Sequence, residues 1–391
     1  MSARLRVVGK ELRDFSLPLR RPIHTARGPI AARELIILRL VDERGAQGLG
    51  EAAPLPGFSA ETLAEVRSEL LALDPTRWSG LQRPEDVAEI LDAQPLSPAS
   101  RHALDQALLG LLATRRGRSI GALLHPGARR SIPIHALIDD PSELEGLDFG
   151  ARPGTLREEP SDRATAGGLD PAVTGALRAV KLKIGARDLE SDVARATQIR
   201  QRLPAEVAIR LDANGAYTPQ AAVDALLRFQ GLGVVAVEQP VAPGDPEAMA
   251  WVRRRAGLSI LVDEGVRGLA DLEAHIREEA CDGVVLKPML LGGILRARSL
   301  AQRAAEAGLG ISVTTSFESA IGRRAAAELA AAVPGTLLTS GLETGRFLRR
   351  DLDEDLVARE RELPRPNLCG HLERHEPRTE CRLEPLFGRA G

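Results

Sequence analysis

AVKLKI at residues 179–184, VAIRLD at 207–212, VVAVE at 234–238, SILVD at 259–263 and GVVLK at 283–287 are five short apolar runs, each with a charged residue at or beside its carboxyl end. They are too short for ordinary helices and too continuous for a half-exposed sheet. Runs of this kind read as parallel strands buried on both faces. Three more of the same texture flank them, at 132–138, 310–315 and roughly 336–342. Helical stretches such as 219–229 and 294–307 lie between. Eight strands alternating with helices predict a (β/α) barrel of the α/β class.

The first hundred-odd residues have a different texture. Residues 34–41 (ELIILRLV), the turn residues of 42–45 and the return at 46–51 predict a β-hairpin. Ser97 followed by Pro98 reads as a helix start. Behind it Ala103, Leu104, Ala107, Leu108, Leu111 and Leu112 form an apolar stripe at helical spacing. The expectation is an α+β domain over 1–130 and the barrel over 131–355, with the tail 356–391 returning to the first domain. The segment 139–169, poor in large apolar residues, reads as a surface insertion.

Composition narrows the function. The chain has 391 residues, 43% of them hydrophobic and 27% charged, the balance of a globular protein. Lys plus Arg number 52 against 54 Asp plus Glu, so the basic excess of a nucleic-acid binder is absent. No run reaches the roughly 18 apolar residues of a membrane helix. Three cysteines and no export signal at the start fit a reducing cytoplasm. A small-molecule partner is expected, with neither nucleic acid nor membrane. No Gly-rich phosphate loop or nucleophile elbow is found.

In a barrel, side chains converge where the strands end at their carboxyl side. Asp212, Glu238 and Asp263 close successive strands, one strand–helix unit apart, and Lys287 closes the next. Three carboxylates on neighbouring strands repel one another without a cation. Hard oxygen donors suit Mg²⁺, with Mn²⁺ as the alternative. Lys181 and Lys183 lie two residues apart, so both face the same side of their strand. Adjacent positive charge and partial burial are expected to lower a lysine pKa and make an amine base available. Lys287 arrives from the opposite wall. The set is arranged to remove a proton beside a carboxylate and to hold the resulting enediolate.

These motifs, Lys-x-Lys, Asp-x-Asn, Glu-Gln-Pro, Asp-Glu and Lys-Pro, resemble those of the enolase superfamily in its muconate-cycloisomerase-like subgroup. Within it, residues 50–62 (GEAAPLPGFSAET) and 314–322 (TTSFESAIG) are similar to the o-succinylbenzoate synthase family. Glu343 and Gly265 stand where that family usually has Asp and Ser. The resemblance implies a (β/α)7β TIM-like barrel with an N-terminal α+β capping domain. It also implies Mg²⁺-dependent syn-dehydration of 2-succinyl-6-hydroxy-2,4-cyclohexadiene-1-carboxylate to o-succinylbenzoate, in menaquinone biosynthesis. By position, Lys183 would be the base and the acid, Lys181 its tuner and Lys287 an electrostatic support. Asp212, Glu238 and Asp263 would be the metal ligands. Arg210, Thr314, Thr315 and Gly341 would lie near the succinyl carboxylate. The loops at 25–28 and 54–58 would cap the site.

Two rival functions remain in view. On the same scaffold, a dipeptide epimerase or N-acylamino acid racemase would use Lys183 and Lys287 as bases on opposite faces. A non-catalytic binding protein would have kept the barrel alone, which the intact lysine pair and three acids disfavour. Other residues read blandly. Cys369, His371, His375 and Cys381 match no common zinc-finger spacing. Residues 253–255 (RRR) read as a solvated helix face, and His102 and His135 as packing residues. Glu264 reads either as an assistant to its neighbour or as an exposed acid.

Overall fold

The computed structural model of the protein describes residues 5–25, 28–147, 149 and 174–352. Strands β1 (Leu5–Thr25) and β2 (Gly28–Asp42) form a long antiparallel pair, and the hairpin to β3 (Gln47–Ala52) follows. With β4 (Ser79–Leu81) they make a four-stranded sheet in the order β3-β2-β1-β4. Helices α1 (Leu63–Ala72), α2 (Pro84–Asp92), α3 (Pro98–Arg116) and α4 (Ile120–Leu124) complete this part.

Helix α3 is the buried axle of the molecule. It packs on β2 and β3 on one side and on barrel helices on the other. Its expected stripe is buried, but so are Ser100, Arg101, His102, Asp105 and Gln106. The single-stripe expectation therefore gives way to a helix covered nearly all round. Its start also differs in detail. The Ser97 hydroxyl donates to Glu69 at 2.7 Å instead of capping the helix. The Glu61 carboxylate accepts the Ala99 amide at 2.9 Å in its place.

The second sheet is parallel, in the order β5 (Ile132–Ile138), β6 (Thr174–Lys183), β7 (Ala208–Asp212), β8 (Val234–Glu238), β9 (Ser259–Val262), β10 (Gly283–Leu286) and β11 (Gly310–Val313). Each strand pairs with the next in the chain, as single winding around a barrel requires. The intervening helices are α5 (Leu189–Arg202), α6 (Pro219–Arg228), α7 (Pro246–Ala256), α8 (Leu269–Arg277), α9 (Pro288–Leu291), α10 (Ile294–Glu306) and α11 (Ala320–Ala332). No helix of the described residues is long and apolar enough to cross a membrane.

The expected eighth strand at 336–342 is not continuous. It closes the barrel by single bridges, Leu337 to Ile311 and Gly341 to Thr314 on one side, Ser340 to Ile134 on the other. The Thr339 carbonyl leaves the ladder because Ser312 Oγ (2.8 Å) and the Arg210 guanidinium bind it inside the barrel. Strand β6 starts at Thr174, earlier than the expected 179. The beginning of the segment read as an insertion is a short 3-10 turn, Pro141–Leu144, and Asp139 is held by Arg187 at 3.0 Å and Arg195 at 2.9 Å. Residues 148 and 150–169 of that segment lie outside the described residues. So do the tail 356–391 and its four Cys and His residues.

Candidate active site

The strand register brings the expected rim together. Lys183, Asp212 and Glu238 are Cα partners across β6, β7 and β8, and Lys181 is level with Arg210. Alternate residues of these strands face the barrel interior. Lys181 Nζ bridges Asp212 Oδ2 at 3.0 Å and Glu238 Oε2 at 2.9 Å. Lys287 Nζ binds Asp263 Oδ2 at 2.5 Å. Among the described residues the Lys183 ammonium makes no hydrogen bond or ion pair, and it is half-buried.

Two residues with left-handed backbone shape the turns beside the acids. Gln239 (φ 38°) accepts the backbone amides of Asp263 and Gly265 on its Oε1, both at 3.1 Å. Asn214 (φ 43°) donates to Glu264 Oε1 at 2.9 Å. Such conformations are rare outside glycine and cluster at functional sites.

The rim opens into a cavity. Lys181, Lys183, Asp212 and Lys287 line its base, and Leu55 and Phe58 of the first sheet's loop reach over it. Thr314, Thr315, Ser316, Phe317 and Gly341 form another wall. A second, larger cavity holds Asp263 and shares Lys183, Glu264 and Lys287 with the first. Thr314 Oγ1 and Ser316 Oγ are buried without a partner among the described residues. Thr315 Oγ1 is instead engaged by Gly341 O (3.1 Å) and Thr344 Oγ1 (2.7 Å). Gly341 needs to be glycine, because a Cβ there would stand 2.9 Å from His135 Nε2 and 3.0 Å from the Thr314 side chain.

Arg210 departs from expectation. It is buried and is not among the lining residues of either cavity. Its Nη2 donates to Glu238 Oε1 at 2.7 Å and its Nη1 to Thr339 Oγ1 at 3.0 Å. Register explains this. Arg210 lies one layer below Asp212, so its side chain braces the carboxylate above instead of reaching a bound molecule. His135, read as a packing residue, also lines the cavity. Its pKa is well below the usual imidazole value through burial and the charges of Arg210 and Lys181. Inward alternation along β5 was the signal for it. Asn214, Glu264 and Phe317, in loops, and Leu290, in the short helix α9, line the cavity as well.

The electrostatics correct one expectation. Burial acts to lower the Lys181 pKa, but Asp212, Glu238 and Asp263 outweigh it, so the pKa is raised. Lys287 is likewise raised, against burial, by Asp263 and Glu264. Burial pushes the Asp263 carboxyl up to about 7 although Lys287 opposes it. Among the described residues no three His, Cys, Asp or Glu side chains converge in metal-holding geometry. Asp212 and Glu238 are instead paired with Lys181, and Asp263 with Lys287. The donor chemistry nonetheless fits a hard divalent cation. All three ligands expected are carboxylates, and among the described residues Glu264 Oε2 is buried without a partner.

Comparison with known proteins agrees with this architecture. The enolase C-terminal domain-like family matches residues 164–371, and the MenC N-terminal domain family matches residues 9–99. An o-succinylbenzoate synthase of Desulfotalea psychrophila is 29% identical over 382 residues, covering 89% of this chain and 97% of that protein. A chloromuconate cycloisomerase of Cupriavidus pinatubonensis is 28% identical over 345 residues, covering 87% of each. The crystal structure of a dipeptide epimerase from Enterococcus faecalis, complexed with Mg and the dipeptide L-Leu-L-Tyr, superposes with a TM-score of 0.74. It is 25% identical and covers 88% of this chain and 92% of its own.

Proposed function

The chain belongs to the enolase superfamily, and from that premise we propose that it dehydrates 2-succinyl-6-hydroxy-2,4-cyclohexadiene-1-carboxylate to o-succinylbenzoate with Mg²⁺, a step of menaquinone biosynthesis. The match of residues 9–99 to the MenC N-terminal domain and the synthase similar over most of the chain favour this substrate. The observation that carries the assignment of roles is the difference among the three lysines. Lys181 and Lys287 are tied to carboxylates, whereas Lys183 faces the cavity with no partner among the described residues.

Asp212, Glu238 and Asp263 are the residues that would hold Mg²⁺, or Mn²⁺ in its place. The cation supplies positive charge that offsets the negative charge developing on the substrate carboxylate as its α-proton leaves. In its neutral form Lys183 takes that proton as the C–H bond breaks. The resulting ammonium then protonates the departing ring hydroxyl, which leaves as water while the ring becomes aromatic. One residue on one face serves both proton steps, so the elimination is syn. Lys181, held between Asp212 and Glu238, keeps a positive charge beside Lys183. Lys287 offers a fixed positive charge from the opposite wall. Leu55 and Phe58 line the cavity, and their apolar surface would help to keep water from the reacting centre. Thr314 Oγ1 and Ser316 Oγ, buried and without a partner among the described residues, would bind the succinyl carboxylate.

The test is conversion of freshly prepared substrate with Mg²⁺, beside Lys183→Ala. The parent is expected to convert it, and the variant to lose at least about 100-fold in rate. Mg²⁺ should still raise the melting temperature of the variant by mass action. No conversion by folded, metal-loaded parent overturns the assignment. A second reading, epimerisation of a dipeptide or N-acylamino acid, is favoured by Lys183 and Lys287 both lining the cavity and by the Mg–dipeptide complex of the similar epimerase. It requires exchange of the substrate α-proton with deuterated solvent, lost in Lys287→Ala.

A further inference from the structure

A second charged network lies buried between the two walls of the cavity. Its centre is Arg33 on β2, which is 1% exposed. Burying a guanidinium is expensive unless every donor is matched. Here the donors meet backbone carbonyls on both sides of the site. Nη2 donates to Ala53 O at 2.6 Å and Nη1 to Pro54 O at 3.2 Å, at the start of the loop that carries Leu55 and Phe58. Nε donates to Phe317 O at 3.3 Å, in the loop after β11 that carries Thr314 to Phe317.

Two buried acids, Glu318 and Glu51, lie near it, and burial pushes both carboxyls up, that of Glu318 to about 7. The Glu318 carboxylate accepts the Ser316 amide at 2.6 Å and so folds its own loop. Glu51, at the end of β3, accepts the amides of Ser319 (3.0 Å) and Gly322 (2.8 Å) and the Ser319 hydroxyl, at the start of α11. Gln106 of α3 completes the link, accepting the Glu51 amide at 3.1 Å and donating to Ile321 O at 2.7 Å. Phe317 is held in the left-handed region (φ 63°), with its ring edge-on to Phe347 at 5.5 Å. That conformation is costly for an aromatic residue and persists only where its surroundings enforce it.

Apolar side chains would join two surfaces at least as strongly as buried charges do. What a planar, five-donor guanidinium adds is fixed geometry. We infer that Arg33 is a positioning residue whose guanidinium sets the spacing between the 54–58 loop and the 314–317 loop. That spacing determines how the non-reacting part of the substrate fits. The inference rests on the proposed reading only in taking this cavity as the substrate site.

Two variants test it, Arg33→Lys, which keeps the charge without the fork, and Arg33→Met, which removes both. Backbone hydrogen exchange is compared with the parent in peptides covering 53–59, 314–319 and, as reference, 208–238. Exchange is expected to rise about tenfold or more in the two loops and to stay at parent rates in the reference peptide. With the cyclohexadiene carboxylate as substrate, KM is expected to rise about tenfold while kcat falls far less. Unchanged exchange in both loops overturns the inference. So does a rise spread equally over the reference peptide in Arg33→Lys, which marks a general stabiliser. An equal fall in kcat with KM unchanged also overturns it. A parent that leaves the substrate untouched defeats the proposed reaction, and the exchange comparison still decides the role of Arg33.

Discussion

Glu238 shows how the rim charges depend on one another. Both of its oxygens are bound, one by Lys181 and one by Arg210, and its pKa is lowered against burial by those two cations. Glu238→Ala would leave two cations buried without the carboxylate they share. A loss of about 3–5 kcal/mol is expected, read from the urea midpoint. The rise in melting temperature with Mg²⁺ should vanish with it. A variant of parent stability that still responds to the metal would show that Glu238 is neither a brace nor a ligand. The acids and lysines of the rim were legible because each ends an apolar run. Only the family resemblance places Arg210 near the substrate. Its true contacts depend on which layer of the barrel it enters, and that depends on the register between strands.

Among the elements, β3 and α3 approach each other closely through glycine. A Cβ on Gly50 would lie 1.8 Å from the Ala103 carbonyl oxygen in the middle of α3. That oxygen belongs to helix backbone and cannot swing aside. Gly50→Ala is therefore expected to destabilise by about 1–3 kcal/mol or more, measured by equilibrium denaturation. Gly110 on the same helix provides the contrast. Its Cβ would meet the Gly48 Cα at 3.5 Å, an ordinary contact, so Gly110→Ala should be neutral or gain up to about 1 kcal/mol. Equal losses at both positions would refute the close-approach account. Strands β5 and β8 match their expected bounds because each is a short and mostly apolar run. The segment 336–342 was read as a strand for the same reason. It is reduced to bridges because the Thr339 carbonyl is taken by side chains from two other strands, a competition that no local pattern records.

At the scale of the whole molecule, α3 joins the first sheet to the barrel, and Asp105 stands at the joint. It is fully buried, and its Oδ2 accepts the Leu295 amide of α10 at 2.9 Å. Burial pushes its pKa up to about 7, with the Leu295 amide and Arg101 opposing. An unfolded aspartate titrates near 3.9. Between about pH 4 and 7 the folded state thus holds a proton that the unfolded state has released, and stability falls as pH rises through that window. Asp105→Asn cannot ionise. Its stability relative to the parent is expected to rise between pH 4.5 and 8, by on the order of a few kcal/mol in urea melts. A difference between the two proteins that is constant with pH would contradict the buried titration.

The sequence by itself determined the strand–helix alternation, the residues that end the strands, and the kind of chemistry that three hard acids and three lysines imply. Those features are local or periodic, since the pleat and the helical turn write them into residue spacing. Tertiary structure alone decided which lysine is left without a carboxylate, where Arg210 points, and how the barrel closes. It also decided that Arg33 and Phe317, nearly three hundred residues apart, meet between the walls of one cavity. Ion pairing and burial depend on distances through space, and contacts across such separations leave no periodic trace along a single chain.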